Sequence, residues 1–583
     1  MKDFIKNQEK KLKEIIIDCG YSIDDVNIVP SVKPELGQFQ FNGVMELAKK
    51  NKTNPRIIAD AIVEKMNAEE DYSNINVAGP GFINITFSDK ALSGYMEYLR
   101  THISEKVKTD VNKKIIIDYG GPNVAKTLHV GHLRSANIGE ALKRLSKELN
   151  CEVISDIHLG DWGRPMGLIM LELKKKHPNW VYFDENYEGE YPSECPISNS
   201  DLEKMYPIAS NKAKEDEKYL EEARNITTKL QQKQKGYYEL WKQIIKISTS
   251  EIKQIYDKLN VSFDLWNGES DADEYVPKVI DYLKEKKLAY VSEGALVMDV
   301  SLPDDTLVVP PLLLVKSNGA ISYEMTDLAT LWERVNNYSP DEIWYVVDKR
   351  QDLHFEQVFR AAYKSGIVPQ NIKLEFIGFG TMNGKDGKPF KTRDGGVMTL
   401  SNLIDAVKKA TLNKLNSNIT GKERDEISDV LAVGALKYAD LLPNRSTDYI
   451  FDEEKFCDFN GKTGIYILYS IVRIKSLLAK AKEQNITIGP IEHLTCDSDR
   501  NIAIKILEIF SVLDKSFRIK SLNDISEYLY QLINVFNNFY TSNRILTETD
   551  ELKRQSWLGL AELVYNIGFK LINILGIEEP RKM

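Results

Sequence analysis

The sequence predicts an α/β protein, with a parallel-sheet core between a small α+β module and a C-terminal helical bundle. Three observations predict this order. Residues 114–160 contain a strand, a glycine-bearing loop, a helix and a second strand, which is the pattern of a βαβ unit. Helical and strand-like patterns precede them. After residue 455 the apolar positions recur only at helical spacing.

The composition is that of an ordinary globular protein with several domains. The chain has 583 residues, of which 42% are hydrophobic and 28% are charged, and this length exceeds that of a usual single domain. No apolar run reaches the roughly 18 residues that a membrane-spanning helix needs, and the N-terminus lacks the apolar core of a signal peptide. We therefore expect a cytoplasmic protein that does not cross a membrane.

The cysteines and the net charge narrow the possible sites. The five cysteines are scattered and form no Cys-x-x-Cys pair, so we expect no structural zinc. The net charge of −9 argues against a general nucleic-acid coat, because phosphate binding needs a local positive potential. The protein can still bind RNA if its lysines are gathered on one face.

The first segment, residues 1–108, is expected to be a separate small module. It opens with an amphipathic helix, continues with a helical pattern over residues 42–66, and has a strand pattern over residues 82–88 after the turn AGPG. It contains no catalytic motif. We expect a structural or RNA-docking role.

The second segment, residues 109–396, has the Rossmann-like alternation of a nucleotide-binding core. A β-branched run over residues 113–119 ends in two glycines and a proline, as a buried parallel strand does. Apolar residues then recur at helical spacing: Ile138, Leu142, Leu145 and Leu149. A second strand follows at residues 151–156, and strand, helix and strand return over residues 342–380. Ligands bind at the carboxyl ends of such strands.

Helical patterns account for most of the remaining chain. Polar helices over residues 180–262 interrupt the core, and we interpret them as an insertion. Residues 397–454 are expected to form a connecting helical stem. Residues 455–583 are wholly helical in pattern, which predicts a terminal bundle.

Two of the seven histidines, His129 and His132, lie at the start of the first core helix, with Gly131 between them. A helix N-terminus carries unpaired N–H groups and a partial positive charge, so it attracts phosphate. The imidazoles add donors for phosphate oxygens, and the glycine lets a flat base approach the backbone. This predicts a nucleoside triphosphate site. The alternative is that both histidines only cap and pack the helix.

A basic loop, residues 381–396, follows the last core strand. It has four glycines and four basic residues: Lys385, Lys388, Lys391 and Arg393. Such a loop can close over nucleotide phosphates as charge builds on the leaving group, although alone it would be interpreted as a solvated turn. With the histidine-bearing helix it predicts a two-part phosphate clamp.

These motifs resemble a known family. HVGH and KPFKT are similar to the HIGH and KMSKS motifs of class I aminoacyl-tRNA synthetases. PNVAKTLHVGHLRS, LGDWG, YADL, NRSTDYIFD and AGPGFINI are similar to arginyl-tRNA synthetases, nearly from end to end. The resemblance implies ATP-dependent ligation of L-arginine to tRNA(Arg) through arginyl-adenylate, with Mg²⁺ as the phosphate partner. It also implies transfer to the 2′-hydroxyl of the terminal adenosine, and activation that waits for bound tRNA.

The resemblance assigns catalytic and ATP-binding roles to six residues of the clamp: Lys126, His129, Gly131, His132, Lys388 and Lys391. Lys391 matches the second lysine of the family's loop, and Lys126 can share its work. The loop lacks the Lys-Met-Ser-Lys-Ser spelling, and GGPN stands where the family has Ser-x-Pro-Asn. Which lysine stabilises the transition state therefore stays open.

Arginine recognition needs carboxylates in fixed positions, because a guanidinium is always charged and presents a planar fork of donors. By the resemblance, Glu269 and Asp327 match the acidic positions that hold the arginine side chain. Tyr323 precedes Asp327 by four residues, so the two share a face if this stretch is helical. Asn123 and Gln357 match positions near the amino and carboxylate end. The alternatives are a helix cap for Glu269 and an exposed helix position for Gln357.

The RNA contacts are expected at both ends of the chain. By the resemblance, the N-terminal module contacts the tRNA elbow, through a surface that includes Gln38 and Asn42. The terminal bundle offers aromatic side chains that can stack on splayed anticodon bases: Tyr466, Tyr469, Phe539 and Tyr540. Most aromatics at helical spacing belong to a core instead.

Other functions fit the sequence less well. A cysteinyl enzyme would need zinc ligands, and isoleucyl, valyl or leucyl enzymes would need a larger editing insertion. Nucleotidyltransferases share His-x-Gly-His but have no use for a long helical bundle. A non-catalytic synthetase-like RNA-binding protein would be expected to lose the histidines, the basic loop or the pocket acids, and all are present. We expect the enzyme to be a monomer.

Overall fold

The protein is described here by a computed structural model. It describes residues 3–33, 35–105, 111–124, 126–194, 196–306, 308–384, 387–388, 398–415 and 419–583. Within these ranges, no helix is long and apolar enough to cross a membrane.

The N-terminal module is a four-stranded antiparallel sheet covered by helices. Its elements are α1 (Phe4–Asp18), β1 (Ile28–Pro30), β2 (Phe39–Phe41), α2 (Val44–Asn51), α3 (Pro55–Met66), β3 (Tyr72–Ala78), β4 (Phe82–Phe87) and α4 (Asp89–His102). The strand order is β1-β2-β4-β3, and each neighbouring pair is antiparallel. The α+β module predicted from the sequence is confirmed.

The sequence predicts one helix over residues 42–66, but the structure has two helices there. Lys52 adopts a left-handed conformation with a φ of 50° and ends α2. The Asn54 side chain then caps α3, and Pro55 occupies its first position. Proline has no N–H for a helical bond and clashes with the preceding turn, so it begins a helix instead of continuing one.

The core is the predicted α/β unit with its insertion. Its elements are β5 (Lys114–Tyr119), α5 (Val130–Glu148), β6 (Glu152–Asp156), α6 (Arg164–Lys176), α7 (Asn199–Glu215), α8 (Glu217–Gln231), α9 (Lys235–Lys258), α10 (Glu269–Ala272), α11 (Val276–Glu285), β7 (Ala289–Ser292), β8 (Ala295–Met298), β9 (Leu312–Val315), α12 (Tyr323–Tyr338), β10 (Glu342–Val346), α13 (Asp352–Ser365) and β11 (Lys373–Phe376). The main sheet is parallel in the order β11-β10-β5-β6. The order reverses between β5 and β10, and a ligand site is expected outside their carboxyl ends.

A small antiparallel sheet of β7, β8 and β9 was not predicted. Each strand has four residues, which is too short for a clear alternation, and Val291 in β7 is exposed. This sheet sets the start of α12, because the Ser322 hydroxyl donates to the Leu313 carbonyl at 2.6 Å and accepts from the Met325 N–H at 3.1 Å. It thereby positions the residues at the start of that helix.

The rest of the described chain is almost wholly helical, as predicted. Its elements are β12 (Met382–Asn383), α14 (Leu400–Lys414), α15 (Gly421–Leu441), β13 (Tyr449–Ile450), α16 (Glu453–Phe456), α17 (Gly464–Glu483), α18 (Asp497–Ile506), α19 (Ile509–Ile519), α20 (Asn523–Ser542) and α21 (Glu551–Ile574). Across all the described residues there are also three short 3₁₀ helices, at Val181–Phe183, Lys349–Gln351 and Ile545–Thr547.

Candidate active site

The two histidines cap α5 and lie face to face. Nδ1 of His129 accepts from the Gly131 N–H at 3.1 Å, and Nδ1 of His132 accepts from the His129 N–H at 3.1 Å. The ring centroids are 4.0 Å apart. Because each Nδ1 is an acceptor, the ring proton of each histidine lies on Nε2. Both histidines therefore cap the helix, as the alternative interpretation of the motif expected.

The histidines are neutral at pH 7. Burial, with a smaller contribution from the neighbouring His129, lowers the pKa of His132 to about 3. Burial, together with the charge of Lys126, also lowers the pKa of His129. Each imidazole thus has an Nε2–H that does not take part in capping. These are donors suited to anionic oxygens.

Gly131 makes the arrangement of the two rings possible. A Cβ atom at this position would lie 2.9 Å from Cε1 of His129, which is closer than real Cβ contacts allow. The glycine in His-x-Gly-His therefore leaves room for the first histidine ring.

The described ends of the basic loop lie beside α5. Before the loop, β12 pairs with β13 in parallel. After it, the Leu400 N–H donates to the Leu128 carbonyl at 2.8 Å, and the Val130 N–H donates to the Met398 carbonyl at 3.2 Å. The described ends of the loop therefore lie next to the start of α5, and the clamp itself stays a prediction.

Most of the basic loop lies outside the described residues. This holds for Lys385, Lys391 and Arg393, so the role predicted for Lys391 stays a prediction. Lys388 is described, and its carbonyl accepts from the Gly384 N–H at 2.7 Å.

Arg134, which sequence reasoning missed, holds the start of the loop to α5. Its guanidinium is buried and donates to the carbonyls of Gly380 and Thr447 at 2.8 and 3.0 Å. It also forms an ion pair with Asp440 at 3.0 Å, and the Tyr449 hydroxyl donates to the same carboxylate at 2.9 Å. Arg134 thus joins the HVGHLRS motif to the YADL and NRSTDYIFD motifs. In the sequence, the sign that Arg134 is buried was its position among the apolar residues of the helix.

Asn123 lies in the loop after β5, against the loop after β6. The Val124 N–H donates to the Gly160 carbonyl at 2.9 Å, and the Gly160 N–H donates to the Pro122 carbonyl at 3.0 Å. A Cβ atom at Gly160 would lie 2.7 Å from Oδ1 of Asn123. The glycine of LGDWG therefore lets the two loops pack closely, with the Asn123 residue exposed at the carboxyl end of the sheet.

Glu269 begins α10 on the other side of the LGDWG loop. Its N–H donates to the Leu159 carbonyl at 3.0 Å. Asp271, and not Glu269, caps this helix, by accepting from the Gly268 N–H at 2.8 Å. Asp161 anchors the same turn, because its carboxylate accepts from the Ser270 N–H and hydroxyl at 3.0 and 2.6 Å.

The pKa of Glu269 is displaced upward. Burial raises it to about 7, with His158 opposing the shift and the carboxylates of Asp161 and Asp327 adding to it. The Glu269 carboxyl group thus lies close to Asp327. A cation placed between them would be held by both.

Tyr323 and Asp327 lie on the first turns of α12, which confirms that their stretch is helical. A Cβ atom at Gly163 would lie 3.2 Å from the Tyr323 hydroxyl and 3.7 Å from Oε2 of Glu269. These two side chains therefore meet beside one glycine. The structure therefore brings Glu269, Tyr323 and Asp327 into one cluster, which we call the acidic pocket.

The floor of this pocket contains charged residues that sequence reasoning missed. Asp118 lies one residue before the end of β5 and Asp156 ends β6. Nη2 of Arg334 donates to both carboxylates at 2.7 Å. With His158 the two carboxylates have the spacing of metal ligands, but the guanidinium fills that position. Burial alone would lower the pKa of His158, whereas Asp118 and Asp156 raise it above its ordinary value. The sequence did contain a sign of these residues, because each carboxylate lies near the end of a predicted buried strand.

Carboxyl groups outnumber fixed cations in the pocket. Arg334 pairs with Asp118 and Asp156, and three further acidic residues lie near His158: Asp161, Glu269 and Asp327. Burial also raises the pKa of Asp161, to about 6. The pocket is therefore suited to a cationic ligand.

The insertion supports the site from one side. Nζ of Lys126 lies 4.5 Å from the ring centroid of Tyr206 in α7. Nε1 of Trp241 in α9 donates to the Asp161 carbonyl at 2.9 Å, and its ring packs edge-on against Trp162. Helices α7 and α9 of the insertion thus contact the loop that contains Lys126 and the LGDWG loop.

Gln357 lies on α13 and is half-buried. Its amide donates to the Pro310 carbonyl at 2.8 Å. The prediction that it binds the amino or carboxylate end of arginine stays a prediction.

The residues predicted to contact the tRNA elbow differ in their surroundings. Asn42 is exposed. With its amide oxygen turned toward the guanidinium, Gln38 accepts from Nε of Arg500 in α18 at 2.8 Å. Gln38 therefore lies between the N-terminal module and the bundle, and its contact with RNA stays a prediction.

The aromatic residues of the bundle separate into core and surface positions. Phe539 is fully buried against Trp557, so its predicted stacking on RNA bases is wrong. The Tyr466 hydroxyl donates to Oδ1 of Asn534 at 2.6 Å. Tyr469 is 40% exposed.

Tyr540 lies at the edge of the bundle core. The Arg473 guanidinium carbon is 5.0 Å from its ring centroid. The predicted contacts of Tyr466 and Tyr540 with RNA stay predictions.

Comparison with known proteins agrees with this geometry. The family described as "tRNA synthetases class I (R), catalytic domain" matches residues 96–453. The "Arginyl tRNA synthetase N terminal domain" matches residues 6–87, and the "DALR anticodon binding domain" matches residues 467–583. These three matches follow one another along the chain.

Relatives and solved structures match over the whole chain. It is 45% identical over 592 residues to the arginine-tRNA ligase of Alkaliphilus oremlandii and 42% identical over 599 residues to that of Agathobacter rectalis, with 100% of both chains covered in each case. Its fold is similar to the arginyl-tRNA synthetases of Plasmodium falciparum (TM-score 0.80, 25% identity) and Thermus thermophilus (TM-score 0.77, 19% identity), again over 100% of both chains. The chain belongs to the arginyl-tRNA synthetase family of class I aminoacyl-tRNA synthetases.

Proposed function

We propose that this enzyme ligates L-arginine to tRNA(Arg) at the expense of ATP. Two features of one sheet support this above the others: acidic residues cluster near the carboxyl ends of β5 and β6, and the helix that follows β5 begins with histidines that present Nε2–H donors. The pocket suits the guanidinium of arginine, and the helix suits the phosphates of ATP. Both ligands can then lie at the carboxyl end of one sheet.

In the first step, the arginine carboxylate attacks the α-phosphorus of ATP. A C–O–P linkage forms, the bond to the β-phosphate oxygen breaks, and pyrophosphate leaves with the electron pair. His129 and His132 donate from Nε2 to phosphate oxygens, while Lys126, Lys388 and Lys391 balance the charge of the leaving group. With ATP bound, Mg²⁺ would supply further positive charge at the phosphates.

The pocket orients arginine for this attack. Glu269 and Asp327 accept hydrogen bonds from the guanidinium, and the Tyr323 hydroxyl contacts it. Asn123 and Gln357 hold the amino and carboxylate end. The carboxylate then points toward the start of α5.

In the second step, the 2′-hydroxyl of the terminal adenosine attacks the arginyl carbonyl, and AMP leaves. This needs no protein nucleophile. The proposal includes a cytoplasmic monomer whose residues 1–108 contact the tRNA elbow and whose residues 455–583 contact the anticodon. The core and stem between them are residues 109–396 and 397–454.

ATP–pyrophosphate exchange with each of the twenty amino acids, with and without total tRNA, tests the proposal. We expect exchange with arginine that appears when tRNA is added. Exchange with another amino acid would contradict the assignment of the pocket. No exchange with any of them would favour the alternative, a non-catalytic synthetase-like RNA-binding protein.

A further inference from the structure

His354 lies at the edge of the acidic pocket and hydrogen-bonds to Asp327. The distance from its Nε2 to Oδ2 of Asp327 is 2.6 Å. The two residues are 27 apart in sequence, and α13 and α12 bring them together. Their side chains are 27% and 21% exposed, so a ligand in the pocket can still reach them.

The hydrogen bond engages one part of the carboxylate only. An ionised carboxylate has two oxygens and about four lone-pair directions. Among the residues that the structure describes, His354 is the one hydrogen-bond partner of the Asp327 side chain, and it occupies Oδ2. Oδ1 stays available to a guanidinium.

A fixed carboxylate matters more for arginine than for a spherical cation. A guanidinium binds through a planar fork, so the plane of the carboxylate has to match it. A carboxylate held by one hydrogen bond loses much of its freedom to rotate. Outer partners of this kind are known to orient groups that bind a ligand directly.

We propose that His354 is a positioning residue for arginine recognition, which fixes the plane of the Asp327 carboxylate in the pocket. The inference rests on the proposed function, because it assumes that Asp327 binds the guanidinium. His354 itself does not touch the reacting atoms. It acts on arginine through Asp327.

The surroundings of His354 keep its proton on Nε2. Asp327 and Glu324 face it from α12, the latter with Oε1 4.0 Å from Nδ1, and the Phe355 ring packs edge-on from its own helix. Burial alone would lower the pKa of His354, but the hydrogen bond and charge of Asp327 raise it above the ordinary value. The neutral ring with its proton on Nε2 and the charged ring both donate to Asp327. The positioning contact therefore holds on both sides of neutral pH.

Two substitutions separate the donor from the bulk of the side chain. Gln places its amide nitrogen as many bonds from Cα as Nε2 of histidine, so His354→Gln keeps a donor. His354→Leu keeps the bulk without the donor. We expect His354→Leu to raise KM for arginine roughly 10-fold to 100-fold in tRNA-dependent ATP–pyrophosphate exchange, with KM for ATP unchanged. His354→Gln should restore most of the loss.

A third substitution distinguishes failure of this inference from failure of the pocket. Asp327→Asn should raise KM for arginine, and adding His354→Leu to it should cost little more, because the two residues act as one unit. If Asp327→Asn has no effect, the proposed pocket is wrong. If Asp327→Asn has its effect and His354→Leu leaves KM for arginine unchanged, only the positioning inference is wrong. Additive losses in the double variant, or equal losses for ATP and arginine, would also overturn it.

Discussion

Which ring nitrogen carries the proton decides what the two histidines can do. Nδ1 of His129 caps α5 by accepting from the Gly131 N–H, so only Nε2 can donate to a phosphate. His129→Asn keeps an N-cap acceptor and removes that donor. We expect kcat/KM for ATP in the exchange reaction to fall by roughly 100-fold or more, with an unchanged unfolding midpoint.

His129→Ala is the matched control for this prediction. It loses the cap as well as the donor, so it should fold less stably by about 1 kcal/mol and be no more active than His129→Asn. An asparagine variant with wild-type exchange activity would show that capping is the whole role of His129.

The pKa of Glu269 predicts how arginine binding depends on pH. In the ligand-free pocket burial raises this pKa to about 7, so the carboxyl group is mostly protonated at pH 6 and mostly ionised at pH 8. Only the ionised form pairs with a guanidinium. KM for arginine should therefore fall as pH rises through 7.

The same shift has a consequence for stability. Because the pKa is above its ordinary value in the folded state, protonation of Glu269 favours folding, and this contribution is lost as pH rises through 7.

Glu269→Gln should remove most of the pH dependence of KM for arginine, measured with KM for ATP as the reference. An unchanged pH profile in this variant would exclude Glu269 as its source.

At the scale of elements, the insertion contributes to the site through contacts with loops. Tyr206 in α7 lies under Lys126, with 4.5 Å between Nζ and the ring centroid. An ammonium over an aromatic ring gains about 0.5–1 kcal/mol, which corresponds to a factor of roughly 2–5 in a rate. Tyr206→Leu should therefore reduce kcat for exchange by about that factor.

Tyr206→Phe is the control, because it keeps the ring and removes only the hydroxyl. It should exchange at the wild-type rate. If the leucine and phenylalanine variants lose activity equally, the hydroxyl and not the ring is the important group.

The basic loop shows how elements bring a distant segment to a helix. One side of the loop is tied to α5 through Arg134, and the other is tied to the residues just before α5 through Leu400 and Leu128. Both anchors lie next to the histidines. The described ends of the loop therefore lie at the start of α5.

At the scale of the whole molecule, a buried charge cluster joins three parts of the chain. Glu140 in α5 accepts from the Tyr119 hydroxyl and pairs with Lys143 and Arg144. Lys437 in α15 is fully buried beside it. A Cβ atom at Gly576, just after α21, would lie 2.6 Å from its Nζ.

Lys437 predicts a pH-dependent stability. Burial lowers its pKa to about 7, whereas an unfolded chain has the ordinary value near 10.4. The folded state therefore gains stability as pH rises from about 7 toward 10, and this gain is lost as pH falls. Lys437→Met should raise the unfolding midpoint at pH 7 by roughly 2–4 °C, and by less at pH 10.

The wild-type protein measured at both pH values is the reference for this comparison. An equal shift at pH 7 and pH 10 would contradict a buried, titrating ammonium. A lower midpoint at pH 7 would show that Lys437 is needed to balance Glu140.

Much of this protein follows from local sequence patterns. Apolar runs rich in β-branched residues predicted β5, β6, β10 and β11, and the helical spacing from Ile138 to Leu149 predicted α5. The motifs also predicted a site with Glu269, Tyr323 and Asp327, and the structure places these three residues near one another. Local patterns did not resolve the break between α2 and α3 or the short sheet of β7 to β9, because these depend on one left-handed residue and on pairing between short strands.

The tertiary structure alone decided which side chains share a pocket. Arg334 lies between Asp118 and Asp156, His354 holds Asp327, and Phe539 turns into the core. Spacing along the chain reports which residues share a face of one helix or strand. It does not report contacts between elements, because these depend on how the whole chain packs.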